Sequence, residues 1–153
     1  MGLIRNKTPY YVIMFDLNNL KFVNDNYGHD RGDKYLQDFS RGLDEVFANK
    51  QAISTRYGGD EFLVVMDTSS NNEVMAALDE LELWMENLNK KSIDGIRVMY
   101  AYGTASHLEG ETYDDVIAVA DKRMYIQKYY EEKNDPIRNR RSRRFLGQSM
   151  WCC

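Results

Sequence analysis

The chain has 153 residues, 29% of them charged and 43% hydrophobic, with a formal net charge of −4. That is enough for one domain with a real core, and the acidic balance argues against a dedicated nucleic-acid binder, whose domain would be basic. No apolar run approaches the roughly 18–20 residues of a membrane helix, and the opening Met1-Gly2-Leu3-Ile4-Arg5-Asn6-Lys7 lacks the apolar stretch of a signal peptide.

The charge is unevenly spread. Five arginines and one acid between residues 135 and 153 make that stretch +4, so residues 1–134 carry −8. This predicts a domain over 1–133 and a basic tail over 134–153, read as a flexible appendage. The two cysteines, Cys152 and Cys153, are adjacent and cannot staple distant parts of a fold. A reducing, cytoplasmic setting is expected.

In chain order, residues 10–15 form an unbroken apolar run of β-favouring residues, which predicts a buried central strand ending at Asp16. The polar, glycine-punctuated stretch 17–33 predicts one short helix and a loop. Leu36, Phe39, Leu43, Val46 and Phe47 recur at helical spacing, so an amphipathic helix is expected over 33–48. Runs 51–57 and 60–67 flank Gly58-Gly59 and predict a hairpin whose turn uses the positive φ that glycine adopts cheaply. Val74, Leu78, Leu81, Met85 and Leu88 form a second helical stripe, starting near Asn71-Asn72-Glu73. A strand over 97–105 and a helix over 113–130, marked by Val116, Ile117, Ala120, Met124 and Gln127, complete the order. The class is α+β: a ferredoxin-like βαββαβ core, with an antiparallel-containing central sheet flanked by helices and an added C-terminal helix.

Right-handed crossovers put the first strand beside the third, antiparallel to it. The exit of one, Asp16, then meets the entry of the other, Asp60-Glu61. Paired acids at a turn are either solvated or joined by a divalent cation. Convergence of three carboxylates from two stretches favours the cation. Oxygen ligands without histidine or cysteine suit Mg2+ or Mn2+ rather than zinc, and Mg2+ usually completes its shell with water and substrate phosphates. Asn18 to Lys21 can open a helix whose free N–H groups face an anion. Lys21 and Lys128 are candidates to add positive charge.

The stretch Arg56-Tyr57-Gly58-Gly59-Asp60-Glu61-Phe62 resembles the signature of the GGDEF family, the diguanylate cyclases. Asp16-Leu17-Asn18-Asn19-Leu20-Lys21, Asn24-Asp25 and Gly28-His29-Asp30-Arg31-Gly32-Asp33 resemble that family's upstream block at its spacing. Tyr102-Gly103-Thr104-Ala105 and Ala120-Asp121-Lys122-Arg123-Met124-Tyr125 are similar to its later strand and last helix, so the resemblance covers roughly residues 10–130. It implies a palm-like fold that condenses two GTP into cyclic di-GMP with release of pyrophosphate, by two-metal phosphoryl transfer across a homodimer of half-sites. The alternative is a non-catalytic GTP-binding or effector module. A plain interaction domain would require the convergence of acids to be accidental.

By position, the resemblance implies that Asp16 and Asp60 hold the metal, with the Leu17 carbonyl and Glu61 assisting. By the same resemblance Asp60 and Glu61 would be the catalytic acids, with Glu61 placed to accept the hydroxyl proton. Asn24 and Asp33 would read the guanine. Backbone groups at Asn19 and Leu20, with Lys21 and Lys128, would hold the β- and γ-phosphates. Gly58 and Gly59 would let the nucleotide lie against the hairpin, and His29 would pack the nucleotide loop. An upstream sensory domain in a longer protein is an expected partner. Several positions depart from the family pattern. Asn18 stands where a second Asp is frequent, and Asn49 and Ala52 stand where the Arg-x-x-Asp inhibition site would be. Glu132 replaces a phosphate-binding arginine, and Gly2-Leu3-Ile4-Arg5-Asn6 only vaguely matches the opening motif.

Overall fold

Side chains alternate across a strand, and β1 (Tyr11–Leu17) uses that alternation to serve two cores. Ile13, Phe15 and Leu17 join one apolar cluster, while Val12 and Met14 join another on the opposite face. This computed structural model describes residues 9–107 and 111–134. The expectations for the opening residues and for the basic tail lie outside the described residues.

After β1 come α1 (Leu20–Tyr27), α2 (His29–Phe47), β2 (Ala52–Arg56), β3 (Glu61–Met66), α3 (Asn71–Lys90), β4 (Tyr100–Ser106) and α4 (Tyr113–Asn134). The sheet order is β2-β3-β1-β4, every neighbouring pair antiparallel. The first strand thus lies beside the third, and the α+β class is as expected. Helices α2 and α3 cover one face, where Phe15, Tyr35, Phe39, Phe62, Val64 and Leu81 are almost fully enclosed. Helix α4 covers the other face, where its Val116, Ala120 and Met124 share a cluster with Val12, Met14, Leu63, Ala101 and Ala105 of the sheet. Its approach is close: a Cβ at Gly103 would lie 2.1 Å from the Ala120 carbonyl oxygen and 2.3 Å from the Met124 nitrogen.

Three expectations shift. The stretch 17–33 holds the whole of α1 and the start of α2, joined at Gly28, whose φ of 87° few other residues would tolerate. The buried face of α2 begins at Gly32 and its first large buried side chain is Tyr35, with Leu36 only half-buried. Strand β4 starts three residues late because the Asn89 side chain donates to the Val98 carbonyl (3.0 Å) and accepts from the Val98 N–H (2.7 Å), in place of a strand neighbour. Helix α3 starts where expected, with the Ser70 hydroxyl accepting from the Glu73 N–H at 3.3 Å.

Candidate active site

Parity decides where the acids go. Asp16 follows Val12 and Met14 onto the α4 face of β1, and Glu61 precedes Leu63 and Val65 onto the same face of β3. The two are direct cross-strand partners. The next pair carries the ladder bond, Leu17 N–H to the Asp60 carbonyl at 2.9 Å, so Asp16 and Glu61 form a non-hydrogen-bonded pair. Such pairs bring Cα atoms to about 4.5 Å and side chains closest together. Like charges there are destabilising. The consequence is visible in protonation: burial raises the Glu61 pKa, and Asp16, Asp121 and Asp60 push it further in that order. Asp16 is also raised, first by burial and then, against the pull of Lys128, by Asp60.

One cation relieves this edge. Lys128, from the last part of α4, donates to Asp16 Oδ2 at 2.6 Å. The other oxygen, Asp16 Oδ1, is buried and has no hydrogen-bond partner. An unpartnered buried carboxylate oxygen normally costs free energy, and this one belongs to a carboxyl group whose pKa Asp60 raises. All donors at this corner are oxygens, the set that suits a hard divalent cation. Among the described residues no three His, Cys, Asp or Glu side chains cluster tightly enough to hold a metal ion unaided.

The hairpin turn Tyr57–Asp60 departs from expectation. Neither Gly58 nor Gly59 has positive φ; a four-residue loop needs none when built on a type I turn. Their value is space: a Cβ at Gly59 would meet nothing, while one at Gly58 would crowd Glu61 Oε2 at 3.1 Å. The turn is held from outside by Arg56, whose Nε donates to the carbonyls of Gly58 and Gly59 at 3.0 and 3.1 Å.

Beside the acids, Asn19 sits at φ 65°, the only non-glycine residue at positive φ among the described residues. Asparagine tolerates that region better than most. It precedes α1, whose N-terminus has no side-chain cap. The first turn, with Leu20 half-buried and Lys21 exposed, therefore opens to solvent with its positive dipole end. Asn24 packs on Gly32, where any Cβ would fall 1.7 Å from its Oδ1. That contact sets Asn24 against the first turns of α2, which also carry exposed Asp33 and His29. His29 is exposed at the start of the helix.

Sequence reasoning missed the supports. The Tyr35 hydroxyl donates to the Asn18 carbonyl at 2.8 Å and accepts from the Met99 N–H at 2.8 Å, tying the exit of β1 to the entry of β4. Asn18 Nδ2 donates to Glu131 at 3.3 Å, and Asn18 Oδ1 is buried without a partner. Burial raises the Glu131 pKa and the Asn18 bond lowers it. No local pattern marks Tyr35 or Glu131. The helical stripe containing Tyr35 signals only burial.

Fold and site together define an α+β domain that presents a carboxylate pair beside an uncapped helix N-terminus, an arrangement suited to a metal-bound polyanion. The chain belongs to the GGDEF domain family, whose sequence profile, described as "Diguanylate cyclase, GGDEF domain", matches residues 2–134. It is 32% identical over 127 residues to diguanylate cyclase DosC of Shigella sonnei, covering 81% of this chain and 27% of that protein. To diguanylate cyclase A of Treponema denticola it is 30% identical over 127 residues, covering 80% and 33%. The chain thus spans about a quarter to a third of the length of these relatives. In fold it is similar to the GGDEF domain of DgcB from Caulobacter crescentus, solved in complex with c-di-GMP. That likeness has a TM-score of 0.74 at 23% identity and covers 84% of this chain and 77% of that one.

Proposed function

We propose that this domain is a diguanylate cyclase, condensing two GTP into cyclic di-GMP and pyrophosphate. The observation that carries the reading is the Asp16–Glu61 cross-strand pair, in which Lys128 neutralises one Asp16 oxygen and leaves Oδ1 buried without a partner, an acceptor that a further cation would satisfy. Family membership implies a divalent metal; we assign Mg2+, with Mn2+ as substitute. Asp16, Asp60, Glu61 and the Leu17 carbonyl would hold it, with substrate phosphates completing the shell. When bound, such an ion lowers the pKa of a coordinated hydroxyl and offsets charge on the transferring phosphoryl group.

The chain's own residues do the rest. Lys128 has two anions within its reach, Asp16 in the free domain and a β- or γ-phosphate once substrate arrives. The N-terminal turn of α1, at Asn19 and Leu20, supplies N–H donors to those phosphates, and Lys21 adds charge. Asn24 and Asp33 offer guanine an amide and an acceptor, Asp33 taking the N1 and N2 hydrogens. His29, exposed at the start of the same helix as Asp33, would border the nucleotide. Gly58 and Gly59 leave the hairpin surface open to the nucleotide. Glu61, whose pKa is raised, accepts the proton of the attacking 3′-hydroxyl. The 3′-oxygen then bonds to the α-phosphorus of the other GTP as the bond to pyrophosphate breaks. Two such events close the ring, so two domains must face one another and the rate should rise faster than linearly with protein concentration. GTP as substrate places the reaction in the cytoplasm.

Incubation with GTP and Mg2+, with cyclic di-GMP quantified by chromatography, tests the reading. Asp60→Ala with Glu61→Ala should lower turnover by about 10²–10³-fold or more, the several kcal/mol that metal stabilisation of the charged transition state supplies. GTP binding that weakens in Asn24→Ala and Asp33→Ala, with no product even after forced dimerisation, would instead establish a binding module.

A further inference from the structure

Away from the acid corner, a groove of about 540 Å³ runs between α3 and α4 beside the outer edge of β4. Asp79, Glu82 and Glu86 from α3 and Glu131 from α4 line it, against a single cation, Arg97. None of the ion pairs among the described residues engages Asp79, Glu82 or Glu86. Tyr100 and Tyr102 form part of the wall. Burial raises the pKa of both, and Glu82 is the next contributor to each, so the acids' field reaches the ring hydroxyls. The β4 edge is partly closed to an incoming strand, because Gln127 accepts from the Tyr102 N–H at 2.6 Å and Arg123 donates to the Thr104 carbonyl at 2.7 Å. A segment seated here is therefore recognised through side chains more than through a continued ladder.

The chain itself supplies a segment of matching charge. The described residues of α4 run to Asn134, which lines the groove. Asp135-Pro136 follows, a pair that disfavours continued helix, and then Arg138, Arg140, Arg141, Arg143 and Arg144. Four extended residues reach about 13 Å, while the stretch of α3 from Asp79 to Glu86 is about 10 Å long. We propose that residues 138–144 dock in this groove of their own chain, their guanidinium groups pairing with Glu82, Glu86 and Glu131 and stacking on Tyr100 and Tyr102. The occupant replaces the free appendage that composition alone suggests. Its binding is electrostatic at a solvent-exposed site and so weakens with salt.

Tryptic cleavage at Arg138–Arg144 in the full chain, followed by mass spectrometry, tests this. A free peptide of residues 135–153 digested in parallel corrects for salt effects on the protease. At about 0.02 M salt the tail sites should be cut about tenfold more slowly than in the peptide, and at about 1 M salt at the peptide's rate. In the Glu82→Gln, Glu86→Gln double variant, both exposed positions on α3, the protection should disappear while the melting temperature stays unchanged. Equal cleavage of parent and peptide at low salt would overturn the proposal. So would protection that persists undiminished in the double variant. Protection that grows with protein concentration would also overturn docking within one chain, and would assign the groove to a second copy's tail.

Discussion

Phe15 and Asp16 are consecutive residues that face opposite sides of one sheet. Around Phe15 everything is satisfied: it meets Phe39 edge-on at 5.6 Å and Tyr100 at 5.9 Å, and even the buried Tyr35 hydroxyl is fully used. On the side of Asp16, α4 lies against the backbone of β4 at Gly103, and the last cross-strand pair in register is two acids with one oxygen unpartnered. The difference teaches a division of labour between the two faces of a single strand. The α2/α3 face supplies rigid packing, and the α4 face tolerates a like-charge pair because that packing holds the strands in register regardless. Strain of this kind survives only where surrounding structure over-determines it.

The comparison breaks most visibly at Phe39. Its ring lies 5.1 Å from both Phe62 and Tyr100 as well as against Phe15, so Phe39→Ala opens a cavity that three elements share. A loss of about 3–5 kcal/mol is expected, read as a lower urea midpoint, with activity lost only in proportion to unfolded protein. A smaller effect with a different signature is expected at Gly103. In Gly103→Ala the new Cβ meets backbone atoms of α4, which cannot rotate away. The helix must shift, at about 1–3 kcal/mol, and Lys128 rides on it one turn beyond Met124. Activity per folded molecule should therefore fall in Gly103→Ala and hold in Phe39→Ala. The reverse order would remove the distinction between the faces.

How far this was legible in the sequence differs between the faces too. The strand order, the α+β class and the meeting of Asp16 with Asp60-Glu61 follow from an apolar run ending in an acid, a glycine pair and the handedness of crossovers, all of them local or topological rules. Contacts made by single side chains across long separations do not announce themselves. Asn18 and Glu131 are 113 residues apart, and nothing in either neighbourhood pairs them. Tyr35 reads as one more apolar helix position although its hydroxyl does the tying. Asn89 satisfies Val98 from a helix, so propensity put the strand three residues too early. Of the two roles expected of the turn glycines, positive φ is absent, and open space is found at Gly59.

The smallest predicted effect bears most directly on the acid face. Burial and the neighbouring Asp16, Asp121 and Asp60 raise the Glu61 pKa in the folded state. Its ionised form is therefore the costly one. The cost is absent below the ordinary carboxylate range, about 4.3, and grows as pH rises through the raised folded value, so this pair makes the free domain less stable toward neutral pH. Glu61→Gln removes one charge and keeps the shape. In chelator at neutral pH it should melt higher than the parent, by up to about 4 °C, if the pair costs the 0.2–1 kcal/mol or so typical of cross-strand charges. Near pH 4 the two melting curves should coincide. A variant that melts lower than the parent at neutral pH would mean that Lys128, although bonded to Asp16, already neutralises both acids, and the corner would then have no need of a further cation.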